Sequence, residues 1–274
     1  MDTRCESPLH QGMPSNVTME TQDGVLEIVL RREGARNALS TELLEELAVI
    51  FESTARKDDV RIVHLRGAGR DFCAGFDLEH LGARALSEGL TEELVRHLAD
   101  LGHRVIHALR ELPSVTMASI QGNALGGGFL LAAACDFRVI ASDARIALPE
   151  IDLGMPLIWG GVPLLLEEFP PATARDLMMT GRPLRNVPPG FEGFASRVAE
   201  PASLTRSATS LLDELRGKPP HALRLLKAQC LAEIPPAGAD RAQDADTAVA
   251  AILHPEFLST AMEAIARRRT RSSN

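Results

Sequence analysis

The sequence predicts an α/β fold in which strands and helices alternate over about the first 150 residues and a mostly helical portion follows. Two observations support this prediction: short apolar runs typical of strands, and longer segments with helical periodicity between them. The predicted strands are 24–32, 60–67, 114–122, 137–142 and 145–148.

Ser40 and Thr91 each stand immediately before a helix-length segment and are suited to accept a hydrogen bond from its first turn. The segment after Thr91, up to Leu112, places a row of apolar side chains on one helical face. These side chains are Leu94, Leu98, Leu101, Val105 and Leu109. Further helices are predicted at 161–169, 172–179, 203–216, 221–234, 241–253 and 257–269.

Composition restricts the classes of protein that the chain can belong to. The chain has 274 residues and a formal net charge of −8, which argues against general affinity for nucleic acids or anionic membranes. The one basic run, 266–271, could be the solvated last turn of a helix, or it could contact a phosphate group of a ligand.

No apolar stretch approaches the ~20 residues that would span a bilayer. The four cysteines are scattered without a CxxC pair or metal-ligand spacing. We therefore expect a soluble, cytoplasmic protein with reduced thiols and no metal site.

The stretch "NALGGGFLLAAACD" (123–136) places three consecutive glycines, Gly126, Gly127 and Gly128, ahead of an apolar helix-length run. A helix N-terminus offers unpaired N–H groups and a partial positive charge. If a loop supplies a second N–H nearby, the two can hold an oxygen that becomes negative during a reaction. The upstream segment "RDFCAGFDL" (70–78), with its turn at Ala74-Gly75, is suited to supply that second donor.

Four motifs occur in a fixed order: "REGARNALS" (32–40), "DFCAGFDL" (71–78), "QGNALGGGF" (121–129) and "LPEIDLG" (148–154). Together they resemble the enoyl-CoA hydratase/isomerase family, also called the crotonase family. The resemblance runs from about Val17 to Arg269 and includes the later "LMMTGRPL" segment. It implies a spiral of strand–strand–helix turns over 17–200, after a flexible tail at 1–16. The remaining region, 201–274, would be helical and mediate assembly into homotrimers or dimers of trimers.

The resemblance also implies roles for individual residues. In the family, the residue after the loop glycine and the middle glycine of the triplet donate the two N–H groups of the oxyanion hole. The corresponding residues are Phe76 and Gly127, and the oxygen of a coenzyme A thioester would lie so close to Gly127 that a side chain would block it. Arg36 is the candidate contact for a phosphate of coenzyme A. Other candidate substrate contacts are Ala38, Ala74, Asp77, Leu78, Gly126, Leu130 and Trp159. Coenzyme A would enter as part of the acyl-CoA substrate, so no separate cofactor is expected.

The chain departs from the family's hydratases at Leu130. The family's hydratases usually have two glutamates in the pocket. The first lies two residues after the glycine triplet, and the second follows the proline of the PE motif. Glu150 stands at the second position and Leu130 at the first. Adding water across a double bond is easiest with two groups, whereas moving a double bond needs one base. The sequence therefore favours an isomerase that uses Glu150, in apolar surroundings formed by Leu130, Ile158 and Trp159.

Two alternatives stay open at this stage. The chain could be a hydratase in which another polar group replaces the missing glutamate, or a catalytically silent binding protein with the same fold. His103 is the candidate replacement, because "HRVIH" (103–107) resembles a segment of 4-chlorobenzoyl-CoA dehalogenase. That enzyme needs an aspartate where this chain has Ile158, so dehalogenation is not expected. Trp159, the only tryptophan, would either narrow the acyl pocket or fill the core.

Overall fold

A six-stranded sheet forms the centre of the computed structural model, which describes residues 15–185, 193–233 and 241–263 apart from 258 and 262. The described strands are β1 (Val17–Gln22), β2 (Val25–Leu30), β3 (Ile62–Gly67), β4 (Val115–Ile120), β5 (Asn123–Leu125), β6 (Phe137–Ala141), β7 (Arg145–Ala147), β8 (Leu184–Arg185) and β9 (Arg197–Ala199). The large sheet has the order β1-β2-β3-β4-β6-β9, and its neighbours are parallel except for the antiparallel β1–β2 hairpin. The other strands form a smaller sheet, β5-β7-β8.

Helices lie between most of the consecutive parallel strands of the large sheet, because parallel neighbours need a long crossover connection. The described α-helices are α1 (Thr41–Thr54), α2 (Leu78–Glu88), α3 (Glu92–Arg110), α4 (Gly127–Ala133), α5 (Gly161–Glu168), α6 (Pro171–Thr180), α7 (Leu204–Arg216), α8 (Pro220–Glu233) and α9 (Arg241–Ile252). β4 is buried along its whole length, and its apolar run matches a strand covered on both faces. The predicted α/β class is therefore confirmed.

Both predicted helix caps are present. Ser40 Oγ accepts a hydrogen bond from Leu43 N at 3.3 Å, and Thr91 Oγ1 accepts one from Leu94 N at 3.2 Å. The predicted apolar face of α3 is buried from Leu94 to Leu109. The sequence analysis missed α2, which contains Gly82 and begins directly after the "FCAGFD" turn. The side chain of Asp77 caps α2, since its Oδ1 accepts a hydrogen bond from His80 N at 3.0 Å.

The C-terminal helices pack on the core of their own chain. Helix α7 contacts β3, β4, β6 and β9, and α9 packs along α3. Ala245, Ala248 and Ile252 of α9 are buried against Val95 and Ala99 of α3. The role of these helices in subunit contacts stays a prediction.

Two sequence-based expectations concern residues outside the described ranges. Residues 1–14 of the expected N-terminal tail lie outside them, as does the basic run at 266–271. Among the helices that the structure describes, none is long and apolar enough to cross a membrane.

Candidate active site

Two loops that are distant in sequence meet at the start of α4. Cys73 N donates a hydrogen bond to Asn123 O at 2.9 Å, and Leu125 N donates one to Cys73 O at 3.0 Å. Gly75 has a φ of +87°, and a Cβ added to it would lie 2.5 Å from the carbonyl oxygen of Leu125. Glycine therefore both permits the left-handed backbone and lets the two loops approach this closely.

A cavity opens where these loops meet, and we call it the glycine-turn cavity. It contains eight of the predicted site residues: Ala74, Phe76, Leu78, Gly126, Gly127, Leu130, Glu150 and Trp159. Its wall continues over apolar side chains of α2, α3 and α9, including Leu81, Leu98 and Ile252. Neither Phe76 N nor Gly127 N donates a hydrogen bond to another described residue. Both N–H groups therefore belong to residues that line the cavity, and neither forms a hydrogen bond within the described part of the chain.

Each glycine of the triplet is required by a different neighbour. A Cβ on Gly126 would collide with Glu150 Oε1, and one on Gly127 would collide with Cζ3 of the Trp159 indole. A Cβ on Gly128 would lie 2.6 Å from the backbone oxygen of Cys73. A side chain on Gly127 would therefore already meet the Trp159 indole, and the close approach of a thioester oxygen to Gly127 stays a prediction.

Glu150 is the only ionisable side chain among the described residues that line the glycine-turn cavity. It directly precedes the short 3₁₀ helix Ile151–Leu153, and its carbonyl oxygen accepts hydrogen bonds from Leu153 N and Met155 N. The backbone that carries the carboxylate is therefore fixed by local hydrogen bonds. Its Oε2 atom is buried, and Leu130, only 1% exposed, lines the same cavity. Leu130, Ile158 and Trp159, the apolar neighbours that the sequence suggested for Glu150, all line the cavity with it.

Trp159 both lines the cavity and fills space between two helices. Its indole packs against Gly102 in the middle of α3, where a Cβ would collide with the five-membered ring. The ring also makes an edge-to-face contact with Phe76, with centroids 5.9 Å apart. Trp159 has a φ of +65°, a left-handed conformation that is uncommon for a bulky residue. Trp159 thus fills the core and lines the cavity with one side chain, and its narrowing of the acyl pocket stays a prediction.

The backbone of this turn is held from α9. Asp244 Oδ2 accepts hydrogen bonds from Trp159 N at 2.6 Å and from Gly160 N at 3.2 Å. His103 also lies near this carboxylate, with its Nδ1 3.6 Å from Asp244 Oδ2. His103 is not among the described residues that line the cavity, so the expectation that it could face the substrate is not supported by its position.

Three other predicted residues lie outside the cavity lining. The Arg36 guanidinium pairs with the buried carboxylate of Asp71, with Nε 3.0 Å from Oδ2, while its side chain stays 41% exposed. Asp77 caps α2 and pairs with Arg32, with 2.9 Å between Nη2 and Oδ2. Ala38 is buried, and its carbonyl oxygen accepts a hydrogen bond from Arg32. Asp77 and Ala38 thus shape the loop rather than the cavity surface, and a phosphate contact by Arg36 stays a prediction.

Other reactive chemistry is not supported at this site. Burial raises the pKa of the Cys73 thiol to about 12, so this cysteine is a neutral thiol rather than a nucleophile. No cluster of three or more metal-ligating side chains is found within the described part of the chain.

Comparison with known proteins decides the family. The sequence profile of the enoyl-CoA hydratase/isomerase family matches residues 20–264. The chain belongs to this family. It is 35% identical over 219 residues to a carnitinyl-CoA dehydratase of Proteus mirabilis, which covers 78% of this chain and 80% of the relative. It is 34% identical over 213 residues to an enoyl-CoA isomerase/hydratase of Mycosarcoma maydis, covering 74% of this chain and 76% of the relative.

Solved structures of the family share the fold. An enoyl-CoA hydratase of Bacillus anthracis superposes with a TM-score of 0.75 at 30% identity, covering 93% of this chain and 97% of that one. The crotonase-like fold predicted from the four motifs is thereby confirmed.

Proposed function

We propose that this member of the enoyl-CoA hydratase/isomerase family acts on an acyl-CoA thioester and moves a double bond by proton transfer through Glu150. The observation that carries the proposal is that Glu150 is the one ionisable side chain among the described residues of the glycine-turn cavity. Coenzyme A is part of the substrate in this proposal, and no separate cofactor takes part.

The proposed chemistry needs two kinds of group. The N–H groups of Phe76 and Gly127 would hold the thioester oxygen and stabilise the negative charge that develops on it. The Glu150 carboxylate would remove a proton from C2 of a 3-enoyl thioester, giving a dienolate. The resulting carboxylic acid would return the proton to C4, leaving a 2-enoyl thioester. No atom is gained or lost overall, and one carboxyl group suffices.

A second candidate reaction is hydration of a 2-enoyl thioester, or the reverse dehydration. The names of the relatives support it, since one is a dehydratase and the other is named for both activities. Glu150 would then have to activate the water without a second carboxylate, because Leu130 stands at the position of the first glutamate. The apolar Leu130 side chain is the reason for preferring isomerisation.

The two reactions are separated by offering each substrate alone. We expect 3-hexenoyl-CoA to be converted to 2-hexenoyl-CoA, measured by chromatography of the thioesters. We expect 2-hexenoyl-CoA to give little 3-hydroxy product under the same conditions. Faster formation of the 3-hydroxy thioester would instead assign a hydratase. Binding of both thioesters without turnover would assign a silent binding protein.

Assembly as a homotrimer or a dimer of trimers stays part of the proposal. Leu225 and Leu226 on α8 are about half exposed, which is consistent with a surface that a second subunit covers.

A further inference from the structure

We propose that Trp159 determines which acyl groups fit the glycine-turn cavity, and that Asp244 on α9 is the positioning residue that holds it there. The proposal rests on the proposed function only in that the cavity takes the acyl part of a thioester. Narrow, unbranched acyl groups would fit the cavity, and the Trp159 indole would exclude bulky ones.

The position of the indole supports the first part. Its benzo edge lies at Gly127 and its five-membered ring lies at Gly102, so it spans the gap between the N-terminus of α4 and the middle of α3. It also contacts Phe76, and Phe76 and Gly127 are the two proposed oxyanion donors. The ring therefore bounds the space in which the carbons next to the thioester would lie, rather than the far end of the cavity.

Gly102 indicates that this placement is built into the fold. Glycine within a helix is less favourable than alanine. At this position, however, any Cβ would collide with the indole. The sequence of α3 thus makes room for Trp159 at the expense of helix stability.

Asp244 supplies the polar contacts that fix the turn. Trp159 and Gly160 are both left-handed, with φ of +65° and +68°, and both of their N–H groups point to Asp244 Oδ2. The indole Nε1 is buried and has no hydrogen-bond partner among the described residues. The indole is therefore placed by its packing and by the backbone that Asp244 holds, and not by a hydrogen bond of its own.

Helix α9 contributes to the cavity wall as well as to the position of the Trp159 turn. The same helix contributes Ile252 to the cavity wall. Since Asp244 and Ile252 are on one helix, α9 both closes the cavity and sets the position of Trp159. A C-terminal helix that the sequence assigned to assembly would thus take part in selecting the acyl group.

The test compares binding of two saturated thioesters, butyryl-CoA and 3-phenylpropanoyl-CoA, by calorimetry on the full chain. We expect Trp159→Ala to lower the Kd for the phenyl thioester relative to that for butyryl-CoA by about tenfold or more. Trp159→Leu, which keeps an apolar side chain, serves if the alanine variant does not fold. Asp244→Ala is expected to shift the ratio of the two Kd values in the same direction, but less than Trp159→Ala does. Asp244→Asn is expected to shift this ratio less than Asp244→Ala does.

Asp246→Asn is the matched control, because Asp246 is on the same helix and forms an exposed ion pair with Arg96. It should leave the ratio unchanged. An unchanged ratio in both Trp159 variants would overturn the role of Trp159. Loss of thermal stability in both Asp244 variants without a change in the ratio would overturn the role of Asp244, because a merely structural contact weakens both ligands alike. Failure of the unmodified protein to bind either thioester would overturn the proposed function itself.

Discussion

Glu150→Gln is expected to lower kcat for double-bond migration by about 10²–10⁴-fold, the usual contribution of a positioned general acid–base group. The amide keeps the size of the side chain and its contact with Gly126, but it cannot accept the proton from C2. The KM for the thioester should change little, because binding depends on the two N–H groups and the apolar wall. Steady-state kinetics with 3-hexenoyl-CoA measures both parameters.

Asp152→Asn is the control for this substitution. Asp152 is an exposed carboxylate two residues further on, in the same short 3₁₀ helix, and it is not among the described residues that line the cavity. Its replacement should leave kcat unchanged. Full turnover by Glu150→Gln, with normal thermal unfolding, would remove Glu150 from the proposed mechanism.

Gly127→Ala is expected to destabilise the protein by about 1–3 kcal/mol, the usual cost of adding a methyl group to a packed interior. The new methyl group would collide with the Trp159 indole and would also lie 3.1 Å from Leu39 Cδ1. In a Trp159→Leu background most of this cost should disappear, because the principal obstacle is gone. Chemical denaturation of the four proteins of this double-mutant cycle gives the coupling free energy between the two sites, which we expect to be about 0.5–3 kcal/mol.

The cycle also separates two explanations for this glycine. If the indole alone requires it, the double variant should recover stability and thioester binding relative to Gly127→Ala. If the oxygen of a bound thioester also requires glycine at this position, the double variant should recover stability while its thioester binding stays weak. Equal destabilisation by Gly127→Ala in both backgrounds would contradict the packing that the structure describes.

Sequence reasoning reached the residues whose positions depend on local motifs. Glu150, Phe76 and Gly127 belong to short ordered segments, and the structure brings all three to one cavity. The fold class and the two helix caps were likewise accessible, because apolar periodicity and capping are properties of neighbouring residues. In contrast, helix α2 was missed, since Gly82 weakens its helical pattern.

The contacts that sequence reasoning missed are those between distant segments. Asp244 lies 85 residues from Trp159, and nothing in the local sequence of α9 indicates that its carboxylate accepts hydrogen bonds from that turn. Gly102 similarly looks like an ordinary interruption of a helix until the indole is placed against it. Arg36 was assigned to a phosphate of coenzyme A from the family resemblance, which does not reveal that its guanidinium pairs with Asp71, 35 residues away.

A crystal structure of the protein with butyryl-CoA tests most directly whether one acyl oxygen is held by main-chain donors from two loops. We expect the thioester oxygen to lie about 2.7–3.1 Å from both Phe76 N and Gly127 N. An oxygen bound by only one of these nitrogen atoms, or an acyl group seated outside the glycine-turn cavity, would contradict this account.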